Sequence, residues 1–362
     1  MKLLLALPIA ATAAVVSVTA QSGLAKATTY GVARGWSVPR TADGRPDMQG
    51  VWANNGVTPM TRPAQWKGKT FLTDAEVKEL QTVVARYANQ GGDAIFGDIV
   101  QLALNARDSG KFDQTSYDPT TGNYNQFWMS EREWDNRTSL IVDPPDGQLP
   151  PLTSAARGRL ARTGDTKTEV EGSESGPRGP ADGPEDRPLS ERCISYGMPR
   201  FRAGYNSYVQ IVQSPQVVAI LQELIHDARI VPIGAGPGLP ESVRQWHGVS
   251  RGWWEGDTLV VETTNFLNGF QVNVGGGTVL GNSTPAVRLT ERYTRVSPDY
   301  MNWAITVDDP ATWTKPWTFM IRLKHTNELL YEYACHEGNQ SMIGILAGAR
   351  AEEAKAASKS KK

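Results

Sequence analysis

Beyond Cys193 the chain is a succession of short β-prone runs with turn signals between them, and this pattern restricts the fold more than any other feature. SYVQIVQS, QVVAILQELI, ARIVPI, QWHGVSRGWW, DTLVVETTNF, AVRLTERYTRV, MNWAITV, WTFMIRLKH and LLYEYACHE follow one another, divided by signals such as EGD, SPD and KP. Parallel pairing needs crossover connections of about a dozen residues or more, usually helical, and no long helical pattern intervenes here. The expected fold class is therefore mainly β: an antiparallel barrel-like or sandwich C-terminal domain over residues 191–345, with a loop-rich, partly helical N-terminal region. QVVAILQELI is ambiguous, because its apolar spacing also suits a helix. Met301, Trp303, Ile305 and Val307 share one face of a strand, and Trp317, Phe319, Ile321 and Leu323 share a face of another. Both sets read as core ladders.

The remaining organisation follows from composition. Residues 1–20 combine a lysine, a short apolar run and Val18-Thr19-Ala20, the features of a signal peptide cleaved after Ala20. No later apolar run approaches the ~18 residues that a membrane helix needs, so a periplasmic or secreted protein with no integral membrane segment is expected. Residues 21–162 carry many turn residues and few alternating runs. Within them Thr73-Asp74-Ala75-Glu76 reads as a capping box, opening a helix with Val77, Leu80, Val83 and Val84 on one face up to about Ala88. A second short helix is expected after Thr153. Residues 163–190 are rich in Gly, Pro and charge and poor in large apolar side chains, as in a surface loop or linker. Residues 346–362 form a helix-prone, then frayed basic tail.

Charge and cysteine usage narrow the function classes. The chain has 37 basic and 38 acidic residues, a balance that steers a protein toward neither nucleic acid nor anionic membranes and favours small-molecule partners. Its two cysteines, Cys193 and Cys335, are expected to pair in an exported chain. No P-loop, no GxGxxG after a strand and no GxSxG elbow is present, so no cofactor is expected. The four histidines, His226, His247, His325 and His336, lack close metal-ligand spacing, and no metal site is expected.

Candidate chemistry concentrates in QWHGVSRGWWEGDTLVVETTNF (245–266), a hairpin with Glu255-Gly256-Asp257 at its turn. In its second arm Leu259, Val261, Thr263 and Asn265 point one way, while Thr258, Val260, Glu262, Thr264 and Phe266 point the other. The interior face thus carries either Asn265 or Glu262. A carboxylate buried there would have the raised pKa of a general acid or base, unless Arg288 or Arg292 pairs with it. His226, beside Asp227 and Arg229, and His247 are the other candidate catalytic residues, since a histidine paired with a carboxylate can act as a base. Of the eleven tryptophans, Trp246, Trp253 and Trp254 gather in this stretch, and flat indoles both stack on ligands and fill cores. Trp253 and Trp254 are neighbours on a strand, so one ring faces in and the other out.

Several segments together resemble a family of exported bacterial proteins known as hypothetical proteins: VDPPDGQLPPLT (142–153), IHDARIVPI (225–233), SRGWWEGDTLVVETTNF (250–266), VDDPATWTKPW (307–317) and EYACHEGNQSMIGILAGARAEE (332–353). WEGDTLVVET and EYACHEGN are the most specific of these motifs, and Trp253 stands where the family pattern has a smaller or basic residue. The resemblance implies export and a bacterial source and carries over no site.

These readings lead to an exported protein that holds a small, aromatic or apolar-bodied molecule in a Trp-lined cavity. Trp246, Trp253, Trp254, Asn265, Arg288 and Arg292 are its candidate ligand-binding residues, and acid/base chemistry by His226, His247 and Glu262 is its candidate activity, as in a lyase, isomerase or hydrolase. The alternative is a non-catalytic carbohydrate-binding or envelope interaction module that presents exposed tryptophans.

Overall fold

The computed structural model describes residues 30–88, 98–112, 129, 131–162, 181–187, 191–195, 203–234, 238–267, 272–273, 279–280 and 286–359. The signal-peptide reading of residues 1–20 and most of the 163–190 segment lie outside them.

The strands are β1 (Gly50–Ala53), β2 (Ile141–Asp143), β3 (Tyr208–Gln213), β4 (Val217–Gln222), β5 (Ala228–Pro232), β6 (Val249–Glu255), β7 (Thr258–Thr264), β8 (Val272–Asn273), β9 (Val279–Leu280), β10 (Arg288–Arg295), β11 (Tyr300–Asp308) and β12 (Trp317–Thr326). Ten of them form one antiparallel sheet in the order β5-β4-β3-β1-β12-β11-β10-β7-β6, with β2 added on β12; β8 and β9 pair separately. The mainly β, antiparallel expectation holds. The ambiguous QVVAILQELI run resolves into β4 and a short 3-10 turn over Leu224–His226.

The sheet is not closed by a continuous ladder. Its edge strands β5 and β6 meet through one parallel bridge, Ile233 to Gly252, where the Gly234 amide donates to the Gly252 carbonyl at 2.9 Å. Gly252 lets the strands approach at this seam: a Cβ there would lie 2.8 Å from Ile233 Cδ1, 3.0 Å from Val231 Cγ1 and 3.2 Å from the Val260 carbonyl oxygen. The result is a barrel-like wall with a partly zipped seam.

The core lies on the sheet's inner face. Met301, Trp303, Ile305 and Val307 from β11 and Trp317, Phe319, Ile321 and Leu323 from β12 are all buried, as their alternation predicts. Trp52, Trp303 and Trp317 are among the largest wholly buried side chains, so these indoles pack the interior as core. The N-terminal region contributes more than loops, because β1 inserts between β3 and β12 in the middle of the sheet.

Four helices complete the described structure: α1 (Asp74–Ala88), α2 (Ile99–Ser109), α3 (Ser154–Arg162) and α4 (Gln340–Lys359). The capping box forms as expected: the Thr73 amide donates to Glu76 Oε2 at 2.8 Å, and the Glu76 amide donates to Thr73 Oγ1 at 3.3 Å. A second, smaller core of Trp66, Leu72, Leu80, Val100, Ala103 and Leu104 joins α1 to α2. No described helix is long and apolar enough to cross a membrane.

Cys193 and Cys335 form a disulfide with a Cα–Cα distance of 5.5 Å and a sequence separation of 142. A cross-link closing so long a loop contributes about 5 kcal/mol in the chain-entropy model. Cys193 is buried, and such a bond fits an oxidising compartment.

Candidate active site

The hairpin forms as the sequence predicts. β6 and β7 pair from Val249–Thr264 to Glu255–Thr258, with Gly256 and Asp257 as the two-residue loop. Leu259, Val261 and Thr263 are wholly buried on the inner face. Glu262 lies on the outer face, 3.4 Å from Arg251 and 3.2 Å from Arg288. It is therefore part of a cross-strand ion-pair ladder, and the inward polar residue of β7 is Thr263. Asn265 does not line the interior either. It takes a left-handed φ of 56° just past the strand and donates through Nδ2 to the carbonyls of Pro240 at 3.0 Å and Val243 at 3.1 Å, tying down a loop. Arg292 pairs with Glu255 at 2.6 Å on the same outer face, where Trp253 Nε1 also donates to Glu255 at 2.9 Å. Trp254 packs on the core, so the two adjacent rings do divide between the faces. Trp246 is 43% exposed.

His247 meets Asp227, the chain neighbour of His226, at the rim, where the seam parts. Asp227 stands immediately before β5 and His247 two residues before β6, so the two edge strands bring them face to face. The turn from β4 into β5 places two consecutive residues in the left-handed region, Ile225 at φ 60° and His226 at φ 45°. A β-branched residue there is strained. Burial of Leu224 and Ile225 and a 3.0 Å bond from the Glu223 amide to the Tyr208 carbonyl hold the turn in that form. His247 is followed by Gly248 at φ 67°, whose Cβ would lie 2.5 Å from the Thr264 carbonyl oxygen.

Ser195 completes the cluster from outside the sheet. Its Oγ lies 2.6 Å from His247 Nε2, and Asp227 Oδ2 lies 3.4 Å from the same nitrogen. Ser195 also hydrogen-bonds Asp227. His226 and His336 adjoin, with ring centroids 5.8 Å apart, and His226 Nδ1 is 3.2 Å from the Tyr333 carbonyl. Burial pushes the Asp227 carboxyl above its usual range, opposed by His247, Ser195, His226 and His336. Burial likewise pushes His247 below the ordinary histidine value, against the pull of Asp227 and helped by Arg229. Both shifts have the same cause, loss of water around the charged form. His247 is thus a neutral imidazole at neutral pH.

This is not the relay of a serine hydrolase, in which hydroxyl and acid occupy opposite ring nitrogens. Here both approach Nε2, so Asp227 cannot orient the ring through Nδ1. Ser195 is 3% exposed, whereas the His247 side chain is 22% exposed. The imidazole is open to a solute where the serine is not. The arrangement suits proton transfer at His247, with Ser195 and Asp227 fixing where the proton sits.

Beneath the cluster runs a buried polar network. Arg229 and Glu291, 4% and 0% exposed, pair through both guanidinium nitrogens, with Nη1 to Oε2 the closer contact and Nη2 to Oε1 at 2.8 Å. Glu291 Oε1 also accepts from Tyr293 Oη at 2.7 Å and from Trp303 Nε1 at 3.1 Å. Burial pulls the Arg229 pKa down, and the adjacent Glu291 more than offsets it, leaving the guanidinium firmly charged. Ser250 and Thr263 share a hydrogen bond at 2.8 Å on the β6–β7 wall, and Arg229 Nη1 reaches Thr263 Oγ1 at 3.4 Å.

Sequence reasoning missed Ser195 and Glu291 as members of this region; it named His336 only among the four histidines and Arg229 only as a neighbour of His226. The signal for Ser195 and His336 was the expected disulfide, which brings Ser195, two residues past Cys193, toward His336, the neighbour of Cys335. Nothing in the sequence pairs Arg229 with Glu291, 62 residues away. Among the described residues no group of three or more His, Cys, Asp or Glu side chains is arranged to hold a metal ion. No family model, curated protein or solved structure matches the chain.

Proposed function

We propose that the chain is an exported small-molecule-binding protein that performs acid/base chemistry at His247, of the kind used by cofactor-independent lyases, isomerases and hydrolases. The observation that carries this reading is the cluster at the parted seam: a partly exposed imidazole, held neutral by burial, with a hydroxyl and a carboxylate at one nitrogen. A base with its pKa below the working pH is available to take a proton without first losing one. In this assignment His247 transfers the proton, Asp227 and Ser195 set its position, and His226 borders the site. Glu262, between two arginines on the outer face, is a structural ion pair.

The substrate in this reading has an apolar body. Leu239, Val243, Trp246 and Leu267 are all exposed large apolar side chains. They lie on two segments joined by hydrogen bonds from the Gln245 amide to the Asn265 carbonyl at 3.1 Å and from the Leu267 amide to the Gln245 carbonyl at 2.8 Å. This apolar surface runs in the chain directly into His247. The N-terminal signal features, the disulfide and the resemblance to exported proteins support export with cleavage after Ala20.

Turnover of a metabolite mixture by purified protein tests the assignment, with His247→Asn and Glu262→Gln compared with wild type. Loss of a proton-transfer base lowers the rate by about 10²–10⁴-fold, while Glu262→Gln retains it. Equal turnover by wild type and His247→Asn would remove His247 from the mechanism.

A further inference from the structure

The candidate site is built half by the sheet and half by the disulfide. Asp227 and His247 stand at the starts of the two edge strands. Ser195 and His336 belong to segments outside the sheet, and Cys193–Cys335 joins those segments two residues from one and one residue from the other. Hydrogen bonds on the same segments include Asn339 Nδ2 to the Glu191 carbonyl at 3.2 Å, His226 Nδ1 to the Tyr333 carbonyl at 3.2 Å and Arg350 Nη2 to the Ala181 carbonyl at 2.7 Å. Cys193 itself takes a left-handed φ of 56°, a conformation disfavoured for a residue with a Cβ.

We propose that the Cys193–Cys335 disulfide is a redox switch for the His247 site: the oxidised form presses Ser195 against His247 and His336 beside His226, and reduction by a dithiol releases both. This rests on the acid/base reading of His247 only where turnover is concerned. Cys335 is partly exposed and Cys193 is buried, so a dithiol's thiolate attacks Cys335 Sγ and Cys193 leaves as thiolate. The reductant's second thiol then closes on the mixed disulfide and expels Cys335. Two electrons pass to the protein, two protons complete its thiols, and the reductant leaves as its own disulfide.

Neither cysteine lies in a strand, so the ten-stranded sheet keeps its ladders when the bond opens. The site is what changes. Without Ser195 over Nε2, His247 gains water and its proton affinity rises toward the ordinary histidine range near 6.5.

Histidine ring signals followed by NMR against pH test this, on wild-type protein oxidised, on the same protein reduced with dithiothreitol, and on the double variant C193S/C335S. The expected result is an upward move of the His247 midpoint in both bond-free forms, loss of the His226–His336 proximity, and a cooperative thermal transition that persists. Where a substrate is turned over, the rate falls by about a hundredfold on reduction and returns on reoxidation, as misplacing a catalytic constellation by an ångström does. Unchanged histidine titrations on reduction would overturn the switch. So would loss of the cooperative transition in both bond-free forms, which would make the bond a staple of the whole fold. If no substrate is ever turned over, the acid/base reading fails while the titrations still decide the switch.

Discussion

Replacing Glu291 with glutamine removes the negative charge paired with a guanidinium that is 4% exposed. The carboxylate takes two contacts from Arg229, one from Tyr293 and one from Trp303. Glutamine keeps one carbonyl acceptor and brings two donors toward a site already full of donors. Leaving a buried charge uncompensated in this way costs about 3–5 kcal/mol. For a chain of this length the unfolding entropy is about 0.7 kcal/mol/K, so the melting temperature falls by about 4–7 °C. Arg229→Met strands the opposite charge, but the carboxylate retains Tyr293 and Trp303 as donors, which puts its cost at the lower end of that range. The double variant R229M/E291Q carries no stranded charge; the glutamine carbonyl accepts from Tyr293 or Trp303, which leaves the other donor and the glutamine amide unpaired at roughly 1–3 kcal/mol each. Summed as if independent, the single costs come to roughly 6–8 kcal/mol and the double to roughly 2–6 kcal/mol, so the cycle predicts a coupling of about 3 kcal/mol at the centre of these ranges. Thermal and denaturant melts of all four proteins at pH 7 measure it. Additive losses, or a Glu291→Gln variant that melts with wild type, would refute the claim that this pair is buried and mutually dependent.

Gly252→Ala places a methyl group 2.8 Å from Ile233 Cδ1 and 3.2 Å from the Val260 carbonyl oxygen; the Ile233 side chain must turn away and the neighbouring strand give slightly, so stability falls by about 1 kcal/mol in denaturant melts. For pH dependence, His247 is lowered chiefly by burial and raised by Asp227. The free-base form therefore persists below pH 6.5, and the acid limb of kcat/KM lies below that value. Asp227→Asn removes the upward pull, so the limb moves to still lower pH; a move upward would contradict the assigned contact. Trp303→Ala deletes a wholly buried indole and a donor to Glu291, which costs about 3–5 kcal/mol and shows directly as a lower denaturation midpoint.

Local pattern carried the fold a long way. The period of two in β11 and β12 was enough to sort inner from outer residues, because each ladder buries a complete apolar face, and Thr73 with Glu76 marked the start of α1. The insertion of β1 between β3 and β12 was not legible, since GVWA is four residues long and its pairing depends on partners more than 150 positions away. The site was legible only in pieces. IHDAR and QWHG each offered a histidine, but their meeting is a property of strand order: β5 and β6 are neighbours in space only because the sheet curls until its first and last strands touch. Glu262 illustrates the opposite limit. Its alternation class was right, yet which class faced inward depended on the direction of curl, which no residue in the hairpin encodes by itself.

The placement of the cluster follows from how the sheet ends. A continuous closed ladder would satisfy the backbone groups of β5 and β6 along their length and leave no gap for side chains to reach water. The Ile233–Gly252 bridge closes the seam where Gly252 lets the strands approach. Farther toward the strand starts the outward side chains give way to Asp227 and His247, which occupy the gap with Ser195 above and Arg229 below. Burial is then graded along the seam, from a wholly enclosed Glu291 to a partly exposed His247. Glu291 holds the guanidinium charged in the interior against its burial, while at the rim burial outweighs the pull of Asp227 and keeps the imidazole neutral, two opposite protonation outcomes within one continuous polar track.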